Sequence, residues 1–291
     1  MGDRIVGDSM KERQIEHRKT PLSPSLRSIR VVIKGAGEMA SAVAWRLFKA
    51  RIRRICMLEV DRPLAIRRRV SFCEAIYDDS QTLEGVTAVK ALSVDQVHEI
   101  WRRGRIAVMT DAKWRTLIRL KPDVVVDAIL AKRNLGTSID EANVVVGLGP
   151  GFTAGIDVDY AIETHRGHNL GRVITMGAPM PDTGIPGNVG GMTLERVLRA
   201  PGSGRFQSVA AIGDRVKKGD PVGTVTGLPV SAGIDGILRG LIRSGTEVTG
   251  GLKIGDVDPR GISAYCDTIS DKARTISGSV LEAILRRVGH P

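Results

Sequence analysis

The first apolar block is short and β-branched, residues 29–34, and predicts a buried strand. A glycine-bearing turn follows, and residues 38–51 then set Met39, Val43 and Leu47 on one face of a predicted helix. Strand-like blocks recur at 55–60, 86–92, 106–109 and 124–129, with helical stretches predicted over 62–76 and 94–103. Such alternation implies parallel β-α-β units with right-handed crossovers. Further strands are predicted at 143–146, 157–164 and 170–176, ahead of a Gly/Pro-rich stretch at 177–191. A stretch of that length is a lid, a binding loop or a linker. A closing helix is predicted over 280–287.

Beyond this stretch the pattern becomes a repeat. Residues 200–225 align with 232–257 at a constant offset of 32, pairing Gly204 with Gly236, Gly213 with Gly245, Val216 with Val248 and Gly219 with Gly251. Two copies are too few for a solenoid. They predict two interlocked β halves, each needing the other to cover residues such as Val209, Val222, Leu241 and Ile254. The pattern resembles the barrel-sandwich hybrid of biotinyl and lipoyl carriers, with Asp214-Arg215-Val216-Lys217-Lys218-Gly219-Asp220 as the typical entry of that fold. The hairpin joining the halves, Thr226 to Val230, has no lysine, which argues against a covalent carrier. The expected fold class is therefore α/β: a Rossmann-like parallel-sheet domain followed by a β-rich, barrel-sandwich-hybrid-like domain. The expected layout is a flexible arm at 1–28, a nucleotide-binding domain at 29–155, connecting strands and loop at 156–192, the β domain at 193–262, and a tail with a helix at 263–291.

The candidate chemistry lies at strand ends. In Gly35-Ala36-Gly37-Glu38-Met39-Ala40-Ser41, Gly35 permits a tight turn and Gly37 lets the backbone approach a phosphate. The third small position is Ala40 or Ser41 in place of glycine, so the fingerprint is degenerate. Glu59, 22 residues beyond Gly37, stands where an acid would hold a ribose hydroxyl. Asp111 and Asp127 each follow a strand and are candidates to face the ligand, as is Lys132 with Arg133 and Asn134; for each, a helix cap or a solvated charge is the competing reading. A second glycine loop, Gly147, Gly149 and Gly151, either closes over the same ligand or links domains. His165 and His168 have metal-ligand spacing, but a strand-turn context and the lack of a third ligand nearby give no metal site.

Composition narrows the partners. Aromatic residues are 3% of the chain, against single-stranded nucleic-acid binding by stacking, and no nucleic acid is expected. The formal net charge of +11 is spread along the chain as solvated faces, with a phosphate-rich ligand or an acidic partner as the second reading. No apolar run approaches a membrane span, and Cys56, Cys73 and Cys266 form no pair motif, which suits a reducing cytoplasm. A reactive Cys266 is weighed against a buried one, and the buried reading is favoured.

Several longer runs together resemble one family, the YqeB-type accessory proteins of the selenium-dependent molybdenum hydroxylase system. They are the Gly35 loop, Val126 to Asn134, Gly147 to Gly155, Glu163 with Arg166-Gly167-His168, Asp256 to Gly261, and Ile269 to Arg274. The resemblance implies a maturation factor with a molybdenum hydroxylase client and a nucleotide or molybdopterin-type ligand. It supplies no catalytic residue. The cofactor expected is a nucleotide-containing ligand, NAD(P) or a molybdopterin nucleotide, and a homo-oligomer is compatible with this reading. The alternatives are an NAD(P)-dependent oxidoreductase and a non-catalytic scaffold that docks the hydroxylase.

Overall fold

The computed structural model describes Leu22 and residues 25–288, so most of the expected arm lies outside the described residues. Strand β1 (Arg30–Lys34) leads into helix α1 (Glu38–Lys49) and β2 (Arg54–Glu59). A short α2 (Ala75–Asp78) precedes β3 (Ser80–Leu83), β4 (Val86–Ala91), α3 (Val94–Arg102) and β5 (Ile106–Thr110). Then come α4 (Leu117–Leu120), β6 (Val124–Asp127), β7 (Val144–Leu148), β8 (Tyr160–Ile162) and β9 (Val173–Ile174). These strands form one nine-stranded sheet in the order β3-β4-β5-β2-β1-β6-β7-β8-β9. Its inner strands are parallel, and β3 and β9 close the edges antiparallel to their neighbours. Strand order reverses between β1 and β6, the position at which open α/β sheets place a ligand crevice outside the carboxyl ends of the strands.

Parallel strands covered on both faces need apolar residues at every position, and β1 and β6 carry Val31, Val32, Ile33 and Val124 to Val126 fully buried. One face packs on α1 and a long closing helix, α5 (Asp271–Leu285); the other packs on Val94, Val97 and Ile100 of α3. Small residues on α1, Ala40 and Ala44 among them, are buried in the same cluster as Ala273, Ile276 and Val280 of α5, and Arg46 bonds the Arg274 carbonyl. The closing helix begins nine residues earlier than its pattern predicts. Ser270 caps it by accepting from the Ala273 N–H, and Gly278 interrupts the apolar periodicity without ending the helix.

Residues 62–76 depart further from expectation. In place of a helix they form an irregular run with 3-10 turns at Arg68–Val70 and Phe72–Glu74. Tertiary hydrogen bonds compete there with helical ones: the Leu241 N–H donates to Ile66 O at 2.8 Å, and the Arg68 Nε donates to Leu241 O at 2.8 Å. The edge strand β3 was not predicted; it pairs with β4 across a turn in which Glu84 and Gly85 both take positive φ.

Eight further strands make two four-stranded antiparallel sheets: β10 (Val197–Arg199), β11 (Gly204–Ser208), β12 (Arg215–Val216), β13 (Pro221–Val225), β14 (Leu228–Ser231), β15 (Gly236–Leu241), β16 (Glu247–Val248) and β17 (Lys253–Asp258). The sheet orders are β10-β17-β15-β12 and β14-β13-β11-β16. Moving 32 residues along the chain carries β11, β12 and β13 onto β15, β16 and β17, and β10 onto β14. One sheet order then becomes the other, so the halves interlock: β12 pairs with β15, and β16 with β11. Paired glycines share backbone geometry, φ +103° at Gly213 and +85° at Gly245, then +94° at Gly219 and +79° at Gly251, a region costly for other residues. Val222, Leu241 and Ile254 are buried between the sheets, but Val209 is 70% exposed, and its expected place in that layer is corrected.

Candidate ligand-binding site

A cavity of about 990 Å³ opens beside the carboxyl end of β1, between the large sheet and the two small ones. Gly35 makes the turn out of β1 at φ +89°, where a Cβ would come within 3.3 Å of Ile129 Cα. Gly37, extended and at the N-cap of α1, has nothing within 4 Å of a built Cβ, so a side chain there would project into open space at the cavity wall. Gly37 offers α1 no side-chain cap, and the first-turn N–H groups have no intrahelical acceptors by construction. The positive end of the α1 dipole thus lies at the cavity.

Glu38 and Met39 line the cavity, as expected of the loop. The Glu38 carboxylate is already engaged: Arg67 lies 2.6 Å away and the Ser270 hydroxyl donates to it at 2.8 Å, tying α1 to the start of α5. Ser41 points inward instead; its hydroxyl donates to Ala36 O and accepts from the Phe72 N–H at 2.7 Å. Glu59 holds the glycine loop, accepting from the Ala36 N–H at 2.8 Å and from the Val60 N–H at 2.8 Å. Burial raises the Glu59 pKa, and these two bonds oppose the shift.

The two aspartates do not face the cavity, contrary to their expected place. Asp111 accepts from the Thr116 N–H and hydroxyl, which also holds its pKa low against burial. Asp127 is buried and accepts from the Thr137 hydroxyl at 2.6 Å and the Ile129 N–H. Thr137 in turn receives the Lys34 ammonium at 2.7 Å, and Glu141 receives it at 2.8 Å. In the second glycine loop, close packing explains the glycines. A Cβ at Gly147 would strike the Phe152 ring, at Gly149 the Thr164 hydroxyl, and at Gly151 the Arg133 backbone, all at 2.6 Å or less. Only Pro150 of that loop reaches the cavity.

Lys132 does reach it, at the rim, and pairs with Asp182 of the Gly/Pro-rich stretch. That stretch lines the cavity from Met180 to Val189 and is pinned at three points. Lys132 holds Asp182, Glu163 accepts from the Met180 N–H at 2.8 Å, and Arg196 donates to Gly187 O at 2.8 Å. His165 lines the cavity too, through no metal-like arrangement: no cluster of three or more His, Cys, Asp or Glu suited to a metal occurs among the described residues.

Sequence reasoning missed most of the charged wall. Arg67, Lys132, Arg166, Arg196, Arg239, Lys253 and Lys272 line the cavity, against Glu38, Asp182 and Asp256. Arg196 and Arg239 share Asp256, and Arg239 also reaches Asp258 at 3.1 Å, where Arg260 binds at 2.6 Å. Arg166 is held by Asp271 at 2.6 Å. Burial lowers the pKa of Lys253 and of Lys272, and the Arg166 charge lowers Lys272 further. The signal was present: Arg166, Asp256 and Lys272 all fall in the runs that carry the family resemblance. Cys266 is buried against the small-sheet core, and burial raises its pKa.

No family model matches the chain. It is 49% identical over 265 residues to the uncharacterized protein YqeB of Escherichia coli K12, an alignment covering 91% of this chain and 49% of that protein. The chain thus spans about half the length of the curated relative it matches, and the identity over most of the chain supports a YqeB-type family. Among solved structures it is similar to an aspartoacylase family protein from Mesorhizobium loti, 12% identical with a TM-score of 0.24, covering 73% of this chain and 58% of that one. A succinylglutamate desuccinylase/aspartoacylase from Rhodobacter sphaeroides is 15% identical with a TM-score of 0.25, covering 82% and 92% respectively. No helix among the described residues is long and apolar enough to cross a membrane.

Proposed function

We propose that the protein is a YqeB-type accessory factor that binds a nucleotide-bearing ligand in this cavity and serves the maturation of a selenium-dependent molybdenum hydroxylase. The ligand is a dinucleotide or a molybdopterin nucleotide. The observation that carries the reading is the opening of the α1 first turn, through Gly37, onto a roomy cavity with a cationic wall. The reversal of strand order between β1 and β6 supports a Rossmann-type reading of the large sheet, because ligands of such sheets sit in the crevice at that reversal. The cavity volume lies at the upper end of ordinary small-molecule sites, which suits a ligand larger than one nucleoside. The exchange of the two small sheets under the 32-residue offset supports a barrel-sandwich-hybrid type of unit. Its β13–β14 hairpin offers no amine to acylate, so the unit acts here as a wall of the ligand site. The hydroxylase client rests on the family resemblance.

Native mass spectrometry of protein purified from its host would identify a retained nucleotide or pterin. Calorimetry then tests the site. Gly37→Val fills space that a phosphate would occupy while disturbing no neighbour, so it should fold normally and lose at least about tenfold in affinity. Unchanged affinity in the folded variant would sink the reading.

A further inference from the structure

Two lysines on the cavity wall have no hydrogen-bond partner among the described residues, and of the two only Lys253 makes an ion pair, a long one. Lys253 Nζ lies 3.7 Å from Asp256 Oδ1, beyond hydrogen-bond reach, because Arg196 and Arg239 already hold that carboxylate. Lys272 makes no hydrogen bond or ion pair with the described residues. Both lysines line the cavity onto which the first turn of α1 opens, as do Gly37 and Glu38. Arg67 has already neutralised Glu38. Two arginines that line the same cavity, Arg67 and Arg196, are 5% and 6% exposed, and each keeps a buried Nε–H with no hydrogen-bond acceptor. Cations taken partly out of water without matching anions are costly. A wall that collects them is built for an anion that arrives with the ligand.

We infer that Lys253 and Lys272 bind the diphosphate group of a nucleotide, completing from the small sheets and the closing helix the anion site that the glycine loop begins. Two ammonium groups can each meet one phosphate of a diphosphate, and a nucleotide with a single phosphate offers only one such group. The lysines also supply charge that the degenerate glycine loop lacks, since backbone N–H groups alone carry only partial charges. The inference deepens the proposed nucleotide site and rests on it.

The test titrates the full chain with ADP and AMP by calorimetry, in wild type and in Lys253→Gln, Lys272→Gln, their double variant, and the double Lys→Arg variant. Wild type should prefer ADP by about tenfold or more, each glutamine should cost about tenfold on ADP, and the double variant should bind both nucleotides alike. The Lys→Arg pair should keep the preference, which a merely structural role would not require. Equal binding of ADP and AMP by wild type, or a preference that survives in the glutamine pair, overturns the inference. Loss of ADP binding in Gly37→Val with no effect of the lysines overturns this inference alone. Loss in the lysine variants with none in Gly37→Val overturns the glycine-loop reading and leaves this one standing. No binding of either nucleotide overturns both.

Discussion

At the scale of single residues, the same carboxylate chemistry has different consequences according to depth. Asp256 is 1% exposed and holds Arg196 and Arg239, both buried. Asp256→Asn keeps the shape but removes the charge, leaving the buried Arg196 without its anion and Arg239 with Asp258 alone. The expected loss is about 3–5 kcal/mol, read as a lower midpoint in urea unfolding. A loss below about 1 kcal/mol would mean that the cluster is wet and that its pairs behave as surface pairs do. Glu59, Asp111 and Asp127 teach a related lesson. Each stands at the strand end where its spacing in the sequence put it, yet each is satisfied by N–H or hydroxyl donors a few residues away or in the adjoining loop. Strand position was legible; the direction of a short side chain with a local donor was not.

At the scale of elements, α5 is the piece whose role the pattern understated. It begins at Asp271, whose carboxylate lies 2.6 Å from Arg166 at the turn after β8. Hydrogen bonding to Arg166 is the largest cause of the lowered Asp271 pKa, with burial opposing it. A depressed carboxylate pKa contributes stability above the unfolded value, near 3.8, and that contribution disappears as pH falls through the folded value. Arg166→Ala should therefore lower Tm at pH 6 and flatten the fall of Tm between pH about 4 and 2, as followed by circular dichroism. A wild-type slope preserved in the variant would place the acid sensitivity elsewhere. The effect is modest, because Asp271 is largely exposed and solvent screens the pair.

At the scale of the whole molecule, the large sheet and the two small ones share main-chain bonds as well as ion pairs. Leu241 of β15 exchanges hydrogen bonds with Ile66 and Arg68, and Arg243 holds Glu74 at 2.6 Å. The cavity lies across this seam, with Gly37 on one side and Lys253 on the other. Two units joined in this way should unfold together. A nucleotide at about 100 times its Kd should raise the single calorimetric transition by the equivalent of about 2.7 kcal/mol. Two transitions, only one of them moved by ligand, would show that the cavity belongs to one unit alone.

The sequence alone determined the alternation of strands and helices, the turn at Gly35, and the 32-residue repeat. Each of these is written in short-range periodicity or in a backbone conformation that only glycine takes cheaply. It also showed Gly147, Gly149 and Gly151 as a glycine loop, while close packing against Phe152, Thr164 and Arg133, which explains them, needs three dimensions. The tertiary structure decided the cavity. Gly37, Lys132, Arg166, Arg196, Lys253 and Lys272 come from segments far apart in the chain, and no local spacing relates them. Which of the many basic residues stays unpaired depends on where the acids fall after folding. Asp256 is claimed by two arginines, and Lys253, three positions before it in the chain, reaches that carboxylate only at 3.7 Å.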